Sequence, residues 1–323
     1  MLPRLCLRES RHFISCPENE PFSKGSDCMM KFYVFIAMAL AVLLCGCGTA
    51  HYNGFGYLTV ATFNLEWLGD GVDDKMRRSD ADYLAIADIM LKTDADVIAV
   101  QEVENNQALH KVVRYMSGYK YFLSQGGDKQ RVGFVVRNTV EFTPIGDYMP
   151  LQLDRPDRLR PGFAAMCSKG ALTCLMMSVH LKSTSRYDST NELRQLSREL
   201  RGQQAQVLHN YVDSVLEAGN EHDILLCGDF NDYPGRRQNP TLTALENGHV
   251  TFVTAGLTSC ANPKWTVIDH VAASAKMTER VNTSTVRVEN HRAYLDDEAS
   301  AMVSDHCAVV AQFEVSTSDV DQH

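Results

Sequence analysis

Five stretches of the sequence place amides, carboxylates or imidazoles where apolar, strand-like runs end. The first is Val60-Ala61-Thr62-Phe63-Asn64-Leu65-Glu66 and the second is Val97-Ile98-Ala99-Val100-Gln101-Glu102. A side chain emerging at the end of a buried strand is held rigidly, as a metal site requires. Oxygen donors such as Asn64 and Glu102 favour a hard divalent ion, Mg2+, Mn2+ or Ca2+, over zinc. The third stretch is Met177-Ser178-Val179-His180-Leu181-Lys182-Ser183, and the fourth is Leu225-Leu226-Cys227-Gly228-Asp229-Phe230-Asn231-Asp232-Tyr233-Pro234. Glycine ahead of Asp229 permits close backbone approach, while Asp229 and Asn231 alternate onto one side of an extended segment. One of the two could orient a water and the other hold a phosphate. The fifth is a pair, Val267-Ile268-Asp269-His270-Val271 and Ser304-Asp305-His306-Cys307-Ala308-Val309. A histidine beside a carboxylate can serve as a general acid or, as imidazolium, donate to a phosphoryl oxygen.

Taken singly, each stretch reads as a turn former or cap at a strand end. Capping by chance is a poor account of all of them at once. Their combination, FN near the start, QE after the second strand, then H-L-K-S, G-D-F-N, I-D-H and a terminal S-D-H, spans about residues 57–315. In that combination the chain resembles the endonuclease/exonuclease/phosphatase superfamily, the group of deoxyribonuclease I, exonuclease III, neutral sphingomyelinases and inositol polyphosphate 5-phosphatases. The resemblance implies a four-layer α/β sandwich, two mixed β-sheets flanked by helices, with the site at one end. It assigns Asn64, Glu102 and Asp305 as ligands of Mg2+ (or Mn2+ or Ca2+) and Asp229 as the group that orients or deprotonates water. Asn231 would contact the phosphate, Asp269 would hold His306 at the scissile phosphate, and His180 would be the second histidine of deoxyribonuclease I-like members. Lys182 and Arg131 are further substrate contacts by position; a solvated strand-end lysine and an ordinary edge charge are the plain alternatives.

These residues need elements to carry them. Tyr83, Ile86, Ala87, Met90 and Leu91 follow helical spacing behind Ser79 and Asp80 as caps, and a buried strand follows at Val97–Val100. A second helix is predicted at about 105–116, then strands near 119–124, 131–137 and 140–148, and a hairpin over 162–181 turning on Lys169-Gly170. The longest helix is predicted over 190–218, with Leu193, Leu196, Leu200, Val207, Leu208, Tyr211 and Val215 on its apolar face and Arg194, Arg198 and Arg201 on its solvated one. Further strands are expected from Asp223 to Cys227 and at 266–274, 280–288 and 306–315.

No linker or repeat interrupts residues 57–315, so they read as one catalytic domain, followed by a tail at 316–323. Ahead of it, residues 32–45 form an apolar run too short to span a bilayer permanently, where about 20 residues are needed. The run fits a signal peptide, and Leu44-Cys45-Gly46-Cys47 resembles a bacterial lipobox, which makes Cys47 the lipidated residue. On this reading residues 1–46 are leader and signal peptide and 47–56 a short tether. The enzyme is then anchored to a bacterial membrane in the cell envelope, with cleavage after Ala50 as the alternative.

Net charge is −9 for the whole chain. Without residues 1–46 there remain 26 basic and 36 acidic residues, a net of −10, which excludes binding of nucleic acid by bulk electrostatics. Five of the 10 cysteines precede residue 48. The other five, Cys167, Cys174, Cys227, Cys260 and Cys307, form no CxxC pair, which argues against structural zinc. They allow at most two disulfides or stay as buried thiols, and Cys167 and Cys174 are not expected to lie directly opposite each other across the hairpin.

The function expected is a divalent-metal-dependent phosphodiesterase, an exported nuclease with DNA or RNA as substrate. The inositol 5-phosphatase pattern W-C-D-R is missing, since Trp265 leads into Thr266-Val267-Ile268-Asp269-His270. A sphingomyelinase-like phospholipid phosphodiesterase or another phosphatase is the alternative enzyme. An inactive binding lipoprotein is the alternative from another class.

Overall fold

Strand β1 (Tyr57–Leu68) sends alternate side chains to opposite faces: Leu58 and Val60 one way, Ala61, Phe63 and Leu65 the other. Both faces are apolar because both are covered. A computed structural model of the chain describes residues 56–316 apart from Arg186, together with Asp319 and Asp321. The segments expected to be signal peptide (residues 1–46) and tether (47–56), with the expected lipidation site Cys47, lie outside the described residues apart from Gly56.

The chain continues as α1 (Asp80–Lys92), β2 (Val97–Val103), α2 (Asn106–Val113), β3 (Tyr119–Leu123), β4 (Arg131–Arg137) and β5 (Glu141–Tyr148). There follow β6 (Gly162–Lys169), β7 (Leu172–His180), α3 (Asn191–Ala218), β8 (Ile224–Asp229), α4 (Thr243–Glu246) and β9 (Val250–Phe252). The last elements are β10 (Asp269–Ser274), α5 (Ala275–Glu279), β11 (Arg287–Glu289), α6 (Asp297–Val303) and β12 (Ala308–Glu314). Two six-stranded sheets result, ordered β11-β12-β1-β2-β4-β3 and β5-β6-β7-β8-β10-β9. Each is mixed: β1 with β2 and β7 with β8 run parallel, the other ladders antiparallel. The expected four-layer α/β sandwich is the fold observed.

Three apolar layers separate the four sheets and helices. Between the sheets lie Leu58, Val60, Phe134, Phe163, Met176, Leu225 and Val271. Phe63, Ile98, Tyr83, Ile86 and Leu109 fill the space under α1 and α2, and Leu175, Met177, Leu208, Val212 and Leu226 the space under α3. Ser79 caps α1 as expected, in a reciprocal capping box with Asp82.

Several sequence expectations need correction. The hairpin turns on Gly170-Ala171, with Gly170 at φ 62°, so Cys167 and Cys174 do face each other directly. They remain thiols, as does Cys227, while Cys260 and Cys307 form a disulfide. On α3, Leu193 and Leu196 are exposed and Arg201 is buried. The first turns of that helix pack on the polar 182–188 loop instead of the sheet: Ser197 Oγ donates to Asp188, and Arg201 donates to the Lys182 carbonyl and to Thr241 Oγ1. The strand expected over 280–288 shrinks to Arg287–Glu289 because Asn282 accepts from the Ser284 amide and starts a 3-10 turn. The strand expected at 266–274 begins at Asp269. The short α4, β9 and α6 carry too little periodicity to be read beforehand.

Candidate active site

Parity along the strands decides which polar residues meet. On β1, Asn64 continues the series Leu58, Val60 that faces the opposite sheet. His180 shares the parity of Cys174 and Met176 on β7, Asp229 that of Leu225 and Cys227 on β8, and Asp269 that of Val271 and Ala273 on β10. All four therefore project into the space between the sheets, His180, Asp229 and Asp269 at the ends of their strands and Asn64 where the regular pairing of β1 with β2 breaks. The site is the polar end of the inter-sheet core.

Two backbone departures complete it. Glu102 has the parity of Ile98 and Val100, which face the helices, but its φ of 59° and a register shift between Val100 and Val103 turn it toward the cleft. Gly228 has φ 156° and lies against Val179, where a Cβ would sit 2.0 Å from the carbonyl oxygen. That close approach seats Asp229 opposite His180 in the parallel ladder.

The contacts form one network. Asn64 Nδ2 donates to Asp229 Oδ2 at 3.0 Å and faces Glu102 Oε1 at 3.4 Å. His180 Nε2 lies 3.5 Å from Asp229 Oδ2 and 3.7 Å from Glu102 Oε1. Asp229 Oδ1 accepts from the Asn231 amide, and Asn231 Nδ2 donates to the Leu181 carbonyl. His306 Nδ1 donates to Asp269 Oδ2 at 2.7 Å, and its Nε2 lies 4.0 Å from Asp229 and 3.7 Å from Asp305.

Electrostatics divide the groups by role. Burial, with the Arg160 and His306 charges next, holds His180 well below the ordinary imidazole range, so it is neutral. Burial opposes charging of His306 as well, yet the Asp269 carboxylate and its hydrogen bond lift it well above that range. Burial, together with the Asp269 charge, pushes the Asp229 carboxyl up to about 7 against the opposing pull of His306. An imidazolium, a neutral imidazole and a carboxyl poised near neutrality thus stand within one cluster, the pattern expected of acid–base machinery.

The expected metal ligands are placed unevenly. Asn64 and Glu102 touch, whereas Asp305 is exposed and reaches them through Glu66, whose Oε2 accepts from the Asp305 amide. Glu66 was not singled out in the sequence, although it shares the strand segment with Asn64. Burial, then the Asp305 charge, raises its carboxyl, with Glu102 adding to the effect. Glu66, Glu102 and Asp305 bring three carboxylates to one cleft, an oxygen-rich set that suits a hard divalent cation.

These carboxylates line a cleft of about 820 Å³ that is also lined by Arg158, Arg160 and Lys182. Arg160 is 7 % exposed and donates to Gln130 Oε1 at 2.6 Å. Lys182 donates to the Ser183 carbonyl and lies 3.8 Å from Asp188. Arg131 is not among the lining residues; its guanidinium donates to the Asp128 and Ser124 carbonyls, and Arg160 takes the place expected for it. The signal for Arg160 was the run of arginines at 155, 158 and 160 just before Pro161-Gly162. Trp67, with Lys75 Nζ 3.4 Å above its ring, forms part of the rim.

Residues 61–306 match the Endonuclease/Exonuclease/phosphatase family. No curated protein matches the chain by sequence. Among solved structures the chain is similar to truncated Caenorhabditis elegans TDP2, at 19% identity over 81% of this chain and 98% of that one, TM-score 0.55. It is similar to D. rerio TDP2 complexed with single strand DNA product, at 19% identity over 80% and 98%, TM-score 0.53. It is also similar to a Bacteroides thetaiotaomicron mannosyl-6-phosphatase, at 18% identity over 79% and 98%, TM-score 0.52. At these identities the likeness is one of fold.

Proposed function

The chain belongs to the endonuclease/exonuclease/phosphatase family, and from that membership we propose that it is a divalent-metal-dependent phosphodiesterase that hydrolyses nucleic acid. The observation that carries the reading is the Asp269–His306 pair facing Asp229, next to Glu102 and Asp305 of a cleft that also carries Arg158, Arg160 and Lys182. Asp229, raised toward neutrality, takes the proton of the attacking water. The remaining Asn231 amide hydrogen and neutral His180 hold the phosphoryl group, and the His306 imidazolium donates to one of its oxygens. Asn64, Glu102, Glu66 and Asp305 would hold a divalent ion, which when bound would supply neutralisation of charge on the phosphoryl and leaving oxygens. Arg160, fixed by Gln130, meets the non-bridging oxygens of the same or the neighbouring phosphate.

An extended substrate is favoured because the cleft offers Arg158, Arg160, Lys182 and Lys75 in addition to the acidic groups. The test is a paired assay with Mg2+: plasmid DNA and RNA in one arm, sphingomyelin vesicles and a sugar phosphate in the other. Cleavage of nucleic acid supports the proposal. Hydrolysis confined to the second arm replaces it with a lipid or phosphomonoester substrate, and no hydrolysis in either arm makes the protein a binder.

The location is part of the same proposal. Residues 1–46 act as leader and Cys47 carries the lipid, so that the 57–315 domain works at a bacterial envelope. Mass spectrometry of the mature N-terminus tests this: a lipidated Cys47 is expected, and a chain starting at His51 refutes it.

A further inference from the structure

Strand parity would bury Trp67. It follows Phe63 and Leu65, which face the helices from β1, yet it is half-buried and lines the active-site cleft. The side chain is redirected where the pairing of β1 with β2 shifts between Asn64 and Leu68, with Glu66 at φ 41° and Trp67 at φ 52°. A large aromatic residue is an uncommon occupant of that left-handed region, and it persists there only when its surroundings hold it. Here the backbone is held on both sides. The Trp67 amide donates to Glu102 Oε2 at 3.1 Å, and its carbonyl accepts from Arg78 Nη1 at 3.2 Å.

The indole borders two cavities. A smaller one of about 200 Å³ shares Trp67, Gln130, Arg158 and Arg160 with the active-site cleft. Lys75, whose Nζ lies over the indole, lines the cleft but not the smaller cavity. Pro156 and Leu159 add apolar surface to the indole there. The charged groups that are not shared with the cleft are the carboxylates Asp128 and Asp157 and a lysine, Lys129, paired with Glu104 at 2.6 Å. Such a lining repels a second phosphate and suits a neutral planar ring. Gln130, whose Oε1 accepts from Arg160, keeps its Nε2 as a donor for the edge of that ring.

On the reading of the protein as a nuclease, we propose that Trp67 is the stacking platform for the base of the nucleotide next to the scissile phosphate. The platform needs an open base face, which a duplex hides and a single strand offers, so single-stranded nucleic acid is the favoured substrate. Stacking of this kind tolerates any base but requires one.

The chain has two tryptophans, so Trp265→Phe leaves Trp67 as the only indole reporter. In that variant, with His306→Ala added to slow turnover and Mg2+ present, a thymidine tetranucleotide and an abasic tetramer of equal backbone charge are titrated separately. Expected are quenching of Trp67 emission by the tetranucleotide alone and an affinity at least about tenfold above that of the abasic strand. Equal affinities, or binding of the tetranucleotide without quenching, would overturn the proposal; quenching by a sugar phosphate instead would reassign the platform to a sugar ring. The second measurement uses Trp67→Gly, since glycine accepts this backbone without strain. Its melting temperature should stay within about 2 °C of wild type or rise, while KM for single-stranded DNA increases at least about tenfold, more than kcat falls. Trp67→Phe should retain most of the affinity. A large fall in melting temperature with unchanged KM would make Trp67 a packing residue. Failure of the wild type to cleave any nucleic acid would reject the nuclease reading itself, whereas the titration, which needs no turnover, decides the platform separately.

Discussion

At the scale of single residues, the site is a set of side chains whose protonation is decided by neighbours. His306 is useful as an imidazolium only while Asp269 holds Nδ1. His306→Ala should therefore lower kcat at least about a hundredfold, and Asp269→Asn should cost about as much, because an amide neither holds the charge nor selects the tautomer. Steady-state rates on one DNA substrate check both; an Asp269→Asn enzyme as fast as wild type would remove the pair from the mechanism. In the proposed mechanism Arg160, braced by Gln130, presents its guanidinium fork to a phosphate. Arg160→Ala should reduce kcat/KM by roughly tenfold to a hundredfold, and Arg160→Lys should recover little of it, since an ammonium does not reproduce the fork. Most of these residues were legible in the sequence because period-two alternation puts Asn64, Asp229 and Asp269 on one side of their strands. Glu102 was legible as an oxygen donor at a strand end, but alternation alone turns it toward the helices, and its turn into the cleft was not legible. Glu66 and Arg160 were missed because their positions depend on loop conformations that no periodicity encodes.

At the scale of elements, one buried arginine organises the irregular end of β1 and the loop it leads into. Glu66 and Trp67 have φ of 41° and 52°, uncommon for residues with a side chain. Arg78 makes the loop possible by donating to the carbonyls of Leu65, Glu66, Trp67, Met302 and Val303. It thereby joins the loop to the end of α6, next to Ser304 and Asp305. Arg78→Ala leaves these carbonyls unpaired and should cost at least about 3 kcal/mol of stability, with Arg78→Lys restoring less than half. Urea midpoints measure this, and a midpoint within experimental error of wild type would show the loop to be held by other means. Long, strongly periodic elements such as α1, β4 and the β6–β7 hairpin lie where the sequence places them. The 190–218 helix was placed correctly, and Leu200, Val207, Leu208, Tyr211 and Val215 of its expected apolar face do pack toward the sheet, but its first turns differ: Leu193 and Leu196 are exposed, while Arg201 and Gln204 are buried against a polar loop, a contact that a hydrophobic stripe does not reveal.

At the scale of the whole molecule, pH and salt act on sums over the structure. His270 is buried, its ring nitrogens paired with Thr254 Oγ1 and the Asp232 carbonyl, and burial lowers it to about 4. The unfolded chain takes up that proton near pH 6.5, so the stability His270 contributes is complete above 6.5 and falls as pH drops toward 4, by up to roughly 3 kcal/mol. Asp229, raised to about 7, acts in the opposite sense, so the measurement is the difference between wild type and His270→Gln. Denaturation curves from pH 7.5 to 4 should show the variant losing less stability than wild type, and parallel curves would exclude this role. The acidic surface limits phosphate contacts to a few placed cations, Lys75, Arg158, Arg160 and Lys182. The slope of log K against log salt on duplex DNA should then be no steeper than about −4; a steeper one would point to a basic surface elsewhere. The two sheets contribute in equal part to the machinery: Asn64 and Glu102 from β1 and β2 and His306 from the entry to β12 on one side, His180, Asp229 and Asp269 on the other. The Cys260–Cys307 disulfide ties the loop before Asp269 to the residue after His306 across that same seam. Turnover is consequently a built-in gauge of how the halves are registered: a slip of the two layers that left each ladder whole, silent to far-ultraviolet dichroism, would still extinguish the reaction.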